Sequence, residues 1–159
     1  MAKYQIIIGR AEEVDIMGCA LGVPSRIDTG AFRSSIHATD VKEVTIGGEK
    51  HLQFSILGHK CAPIARKMVV PKYEIVNVRS SNGEMADRYA VTLKVKIGPK
   101  VFNTSFSLAD RSQNVFPILV GREALKGRFI VDPNKTSVSR AELAKQFGIV
   151  LDGNEETED

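Results

Sequence analysis

Tryptophan is absent from this chain, aromatic residues make up only 6% of it, and no run of lysine or arginine is present. Binding of nucleic acid relies on a clustered basic surface, often with aromatics for stacking, so a nucleic-acid partner is not expected. Cysteine is scarce: Cys19 and Cys61 stand alone without C-x-x-C spacing, too few to staple 159 residues, and read as reduced structural thiols. The three histidines, His37, His51 and His59, lack the i, i+4 spacing of a helical zinc site, and H-E-x-x-H does not occur. Neither a metal nor a cofactor is expected; scattered histidines and cysteines leave open only a site assembled by tertiary contacts. The phosphate-cradling G-x-x-x-x-G-K-[ST] and the nucleophile elbow G-x-S-x-G are both missing. At the N-terminus, Ile6-Ile7-Ile8 runs into Gly9, Arg10 and two glutamates, too short for a signal-peptide core or a membrane span. A cytoplasmic protein with no membrane partner is therefore expected.

What is present describes an ordinary globular domain, with 43% hydrophobic and 26% charged residues and enough length to bury a core. Charge is spread unevenly. Five carboxylates fall in the last eight residues, D-G-N-E-E-T-E-D, against a net charge of +3 for the whole chain. Residues 1–150 read as one basic domain and 151–159 as a disordered acidic tail.

Residues 3–9, 13–17, 42–46, 51–57, 73–79, 89–97 and 101–108 are rich in Val, Ile, Phe, Tyr and Thr, and several alternate polar with apolar. Gly47-Gly48, Asn82-Gly83 and Gly98-Pro99 mark turns between them. Many short strands without intervening helical patterns predict a mainly β barrel or sandwich rather than a helix-wound parallel sheet. Two helices are predicted: a short one opening at Arg122-Glu123-Ala124-Leu125, and one over residues 141–147, capped by Ser139 and stopped by Gly148.

The chemistry rests on two stretches. In G-V-P-S-R-I-D-T-G-A-F-R-S-S-I-H-A, residues 22–38, the segment 23–27 can run as a strand that delivers Asp28. Thr29 and Gly30 then allow a tight loop, and residues 34–38 can leave as the next strand. Alone, Asp-Thr-Gly is a common turn. Far downstream, F-P-I-L-V-G-R-E-A-L, residues 116–125, is an apolar run that closes on Gly121 and opens a helix. Together, D-T-G-A early and I-L-V-G-R late resemble the retropepsin family of aspartic proteases over about residues 10–132. A closer resemblance is to a bacterial and archaeal group of retropepsin-like proteins that carries the label ATP-dependent zinc protease. It runs through I-D-T-G-A-F-R-S-S-I-H-A, S-S-N-G-E-M-A-D-R-Y, S-L-A-D-R-S, F-P-I-L-V-G-R-E-A-L and G-R-F-I-V-D, in that order. Residues 40–63 read as an insertion relative to the viral enzymes, and the helix at about 140–148 lies outside the resemblance. No motif here answers to the words ATP or zinc, so both are set aside.

The resemblance implies a retropepsin-like closed β-barrel and an aspartic peptidase in which Asp28, Thr29 and Gly30 are the catalytic residues. Two carboxylates held close together cannot both ionise and share one proton. The ionised member activates a water, and the protonated one donates to the peptide. One D-T-G supplies one carboxylate, so the implied enzyme is a homodimer whose two-fold axis sets Asp28 opposite its copy. Thr29 is expected to bond across the axis, while Ala31 leaves room for substrate backbone. Asn82 and Gly83, in the turn at residues 80–84, are candidates for a substrate-covering flap, with Gly47-Gly48 as the rival tip.

Viral members carry acidic residues just after D-T-G-A; here Phe32 and Arg33 follow, which deprives Arg122 of its usual partner. Arg33 and Arg122 beside a cleft favour an acidic, glutamate-rich peptide through charge-assisted hydrogen bonds. The alternative has Arg33 solvated and Arg122 paired with Asp110 or Glu123. Arg88, Asp110 and Arg111 recur in the group's pattern, as groups behind the site or as a structural ion-pair network. His37 reads as a fold residue more readily than as a proton shuttle, and Asp132 as a turn former. Some members of the group are associated with ATP-grasp glutamate ligases and trim the acidic tails those ligases add, so such a ligase is an expected partner. A rival reading keeps the fold and the dimer without the chemistry, as a non-catalytic module that holds acidic peptides.

Overall fold

The computed structural model describes residues 5–79 and 82–148. The acidic segment 151–159 and, in the candidate flap turn, Ser80 and Ser81 lie outside the described residues. In chain order the elements are β1 (Ile6–Ile8), β2 (Ala11–Ile16), β3 (Ala20–Ile27), β4 (Ser34–Ile46), β5 (Glu49–His59), β6 (Ala62–Val70), β7 (Glu74–Arg79), β8 (Met85–Ile97), β9 (Lys100–Ala109), β10 (Ile118–Val120), α1 (Arg122–Leu125), β11 (Phe129–Val131) and α2 (Arg140–Phe147).

Alternation explains the longer strands. On β8, Val91, Leu93, Val95 and Ile97 are buried while Thr92, Lys94 and Lys96 are exposed, the two-residue period of a half-buried strand. On β5, Leu52, Phe54 and Ile56 turn inward in the same way. Pairing runs β10–β3–β2–β8–β9–β4, and β4 returns to β10, so the fold is a closed six-stranded barrel of the retropepsin-like type. Closure leaves these strands few open edges and gathers Val14, Ile36, Leu93, Val95, Phe106, Ile118 and Val120 into one core. Outside the ring, β7 pairs with β8, and β1 pairs in parallel with β11.

Residues 40–63 form the far half of β4, all of β5 and the start of β6, an antiparallel extension of the barrel wall. Strand β6 has no clear signature in the sequence because it lies at the sheet edge, mostly exposed, with Pro63 near its start; an edge strand tolerates a missing N–H. Two bulges interrupt the extension. One falls between Thr39 and Lys42, where Asp40 has φ 55°; the other lies between Leu57 and His59, where Leu57 and Gly58 both have φ 68°. A buried leucine in this left-handed conformation is strained by roughly 1–2 kcal/mol. The bulge shifts the strand register just before His59.

Helix α2 begins one residue before its expected start, with Ser139 accepting from Glu142 N–H and Gly148 at φ 67° ending it. Its Leu143 and Phe147 pack with Ala11, Cys61, Val115 and Phe116. Asp132 is the turn former its position suggested: its Oδ1 accepts from Asn134 N–H at 2.9 Å. Among the described residues no helix is long and apolar enough to cross a membrane.

Candidate active site

Strand β10 is only three residues long, yet it organises the site. It lies between β3, which it meets in parallel (Val120 opposite Ile27), and β4, which it meets antiparallel (Ile118 opposite Ile36). Strand β3 ends at Ile27, so Asp28 is the first residue of the loop, and its N–H donates to Val120 O at 2.9 Å. Gly30 N–H donates to Asp28 Oδ1 at 2.8 Å, which sets the carboxylate's orientation. The loop is then tied to α1: Arg122 N–H donates to Ala31 O at 2.7 Å, Glu123 N–H to Phe32 O at 2.9 Å, and Arg122 Nη1 to Thr29 O at 3.0 Å.

At the base, Gly121 N–H donates to Ser34 Oγ at 3.0 Å, with Ser34 fully buried. A Ser34→Ala protein leaves that N–H without its acceptor. Its stability in urea is expected to fall by about 1–3 kcal/mol, the cost of an unsatisfied buried donor.

Asp28 opens onto a cleft of about 720 Å³. Gly30, Ala31, Phe32 and Arg33 form one side; Asn77, Val78 and Arg79 of β7 and Arg88 of β8 face them, and Asp110, Arg111 and Asn114 form part of the lining. Four arginines therefore stand against two acids, Asp28 and Asp110. Arms of the β7–β8 hairpin, not the Gly47-Gly48 turn, line this cleft; Asn82 and Gly83 sit at the described end of that hairpin's turn and do not line it.

Of the candidate binding residues, Ala31 and Arg33 line the cleft and Arg122 does not. Arg122 instead holds Thr29 O, and its guanidinium lies 6.0 Å from the Phe32 ring centre; Arg33 approaches the same ring at 5.7 Å. Phe32 thus offers its π face to both cations. Arg122 forms no ion pair with Asp110 or Glu123.

The loop carrying Arg111 is gripped by two buried histidines. Arg111 N–H donates to His37 Nδ1 at 2.9 Å. His59 Nε2 lies 2.9 Å from Arg111 O and 2.8 Å from Asn114 O, and Cys61 N–H donates to His59 Nδ1 at 3.0 Å. These partners require each ring to be neutral with its proton on Nε2. The rings meet edge to face at 5.4 Å. Asp110 Oδ1 lies 3.9 Å from His37 Nδ1, but that nitrogen already accepts the Arg111 N–H, so the contact is no salt bridge while the ring is neutral. His37 is accordingly a fold residue, as its position suggested.

Burial lowers both histidines below their ordinary 6.5; the opposing imidazole and Arg111 add to this at His37 against the pull of Asp110. At His59, Arg111 and Lys60 add to it against the two carbonyls. The unfolded chain therefore takes up protons first as pH falls. Stability is expected to be full above pH 6.5 and to decline below it, by at most about 1.4 kcal/mol per pH unit for each histidine. Chemical denaturation between pH 8 and 5 measures this, and a flat profile in His37→Gln/His59→Gln protein identifies the source.

The sequence does not mark Arg79, Arg88 and Arg111 as residues of one cleft. S-L-A-D-R-S and M-A-D-R-Y carried the latter two, but nothing in a strand pattern says that β7, β8 and the loop after β9 meet across one cleft. No group of three or more His, Cys, Asp or Glu among the described residues is arranged to hold a metal ion.

Comparison with known proteins agrees with this fold. Residues 7–142 match the model of the RimB-like family, described as retropepsin-like aspartic endopeptidase RimB. A protein of Shewanella halifaxensis named "Probable alpha-L-glutamate ligase" is 32% identical over 145 residues, 86% of this chain and 30% of that protein. One of the same name from Desulfotalea psychrophila is 30% identical over 137 residues, 80% of this chain and 29% of that protein. The chain thus spans about a third of the length of these relatives. A crystal structure of a Legionella pneumophila protein of unknown function superposes with a TM-score of 0.67 at 27% identity, covering 84% of this chain and 97% of that one. With most of its length matched, the chain belongs to the RimB-like family of retropepsin-like aspartic endopeptidases.

Proposed function

We propose that the chain is one half of an aspartic peptidase: two copies meet about a two-fold axis, and their Asp28 carboxylates together activate a water against a peptide bond of an acidic, glutamate-rich substrate. The observation that carries this reading is Asp28 itself, half-buried at the end of β3, lining the cleft, with Oδ1 held by Gly30 N–H. Oδ2 has no partner among the described residues and is left for water. The exposed Thr29 hydroxyl makes no hydrogen bond within the described chain, which suits a role across the axis. In the dimer, repulsion between the carboxylates retains one proton: the ionised Asp28 takes a proton from water, and its neighbour protonates the developing oxyanion or amine. In this reading the β7–β8 hairpin, whose Asn77, Val78, Arg79 and Arg88 line the cleft, acts as the flap.

Excess arginine in the cleft supports acidic peptides. So does the similarity to proteins named as glutamate ligases, which makes an ATP-grasp ligase the expected partner and its glutamate-containing product the expected substrate. One observation favours a non-catalytic peptide-binding module instead, because Asp28 Oδ1 already serves the loop as a turn acceptor. Cleavage of a glutamate-rich peptide by wild type but not by Asp28→Asn protein, with sedimentation showing a dimer, supports the peptidase. Binding of that peptide without cleavage by either protein supports the module.

A further inference from the structure

Arg111 stands apart from the other three arginines that line the cleft. Arg79 is exposed on the hairpin, Arg88 is half-buried on β8, and Arg33 lies against Phe32. Arg111 is fixed at both levels: His37 and His59 hold its backbone, Nε donates to Phe116 O at 2.9 Å, and Nη1 donates to Ser35 Oγ at 3.3 Å. Of its five N–H donors, two are engaged, and no carboxylate lies within ion-pair distance among the described residues. Burial and the nearby Arg26 lower its pKa to about 10, with the Asp28 carboxylate acting in the other direction; it remains a cation at neutral pH. A largely desolvated cation without a carboxylate partner is costly in an empty cleft, and an incoming carboxylate relieves that cost. Because the side chain is already immobilised, binding it loses little rotamer entropy.

We infer that Arg111 determines specificity, receiving a glutamate side-chain carboxylate of the substrate beside Asp28 through its remaining guanidinium donors, with His37 and His59 as positioning residues. The inference rests on the peptide-cleft reading above and names the residue that selects the substrate's charge. A charge-assisted hydrogen bond lost on exchanging glutamate for glutamine corresponds to about a 10- to 100-fold difference in binding.

The test uses fluorescent peptides with a single Glu-to-Gln exchange walked along the sequence. Binding to Asp28→Asn protein is measured by anisotropy, and cleavage by wild type in parallel. The glutamate peptide is expected to bind about 10- to 100-fold more tightly at one position. Arg111→Gln in the same background is expected to abolish that preference while changing affinity for the glutamine peptide less than about threefold; Arg111→Lys restores part of it. If Arg111→Gln keeps the preference, or weakens both peptides equally, the inference is overturned. Should that variant not fold, the Arg111 Nε–H resonance of Asp28→Asn protein decides: it is expected to move with the glutamate peptide only, and movement with neither or with both overturns the inference. A binding preference without hydrolysis by wild type leaves Arg111 in its role and removes the peptidase reading. Hydrolysis without the preference does the reverse.

Discussion

Asp28→Asn is expected to lower the rate of peptide hydrolysis about 10²- to 10⁴-fold, the contribution of a positioned general base, with little change in thermal stability. Asparagine is nearly isosteric, and its side-chain carbonyl can still accept the Gly30 N–H that Asp28 Oδ1 accepts at 2.8 Å. The loop keeps its shape while the group that takes a proton from water is lost. Alanine is the poorer choice because it also removes the loop's acceptor. Mixing sharpens the test: if two chains share one dyad, a freely exchanging equal mixture of wild type and Asp28→Asn retains about a quarter of the wild-type activity, whereas independent sites retain about half. Half-activity in the mixture rules out the intersubunit dyad, and full activity of the variant alone removes Asp28 from the chemistry.

Gly121→Ala is expected to destabilise the fold by about 3 kcal/mol, the upper end of over-packing effects, lowering Tm by roughly 6–12 °C. The reason is space rather than backbone conformation, since Gly121 has φ −94° and any residue can adopt that angle. A Cβ there would lie 2.6 Å from Arg33 O, 2.7 Å from Arg33 C and 2.8 Å from Phe32 O, all backbone atoms that no rotamer change can move. Relief requires the loop after Asp28 to part from α1, breaking the bonds from Arg122 and Glu123 N–H to Ala31 and Phe32 O. Activity is therefore expected to fall even at temperatures where the variant is folded. Differential scanning calorimetry together with a peptide assay checks both effects; a variant as stable as wild type contradicts the close packing described here.

These two glycine contacts show how far a motif can be read. D-T-G and I-L-V-G-R are local patterns, and their glycines differ in reach: a Cβ on Gly30 would lie 3.1 Å from Asp28 Oδ1 within its own motif, whereas the reason for Gly121 is visible only once the two motifs are side by side, because it brings α1 against the backbone of Phe32 and Arg33. Strand β10 has too few residues to show a period, and β6, exposed along an edge, shows no burial pattern. Strand β8, half in the core and half in water, shows its period plainly.

The amino-acid sequence alone determined the mainly β class, both helices, the turn at Asp132 and Asp28 as the residue around which a site could form. Each follows from short-range chemistry: alternation, capping and turn propensity act over a few residues. Which arginines line the cleft was decided only by tertiary structure. Arg33 and Arg122 looked equivalent as neighbours of the two motifs, yet one lines the cleft and the other ties down Thr29. Arg111 became prominent because β4 and β5 bring His37 and His59 onto its loop from positions 74 and 52 residues away in the chain. Charge at a cleft is a sum over side chains close in space, and separation along the chain carries almost none of that information.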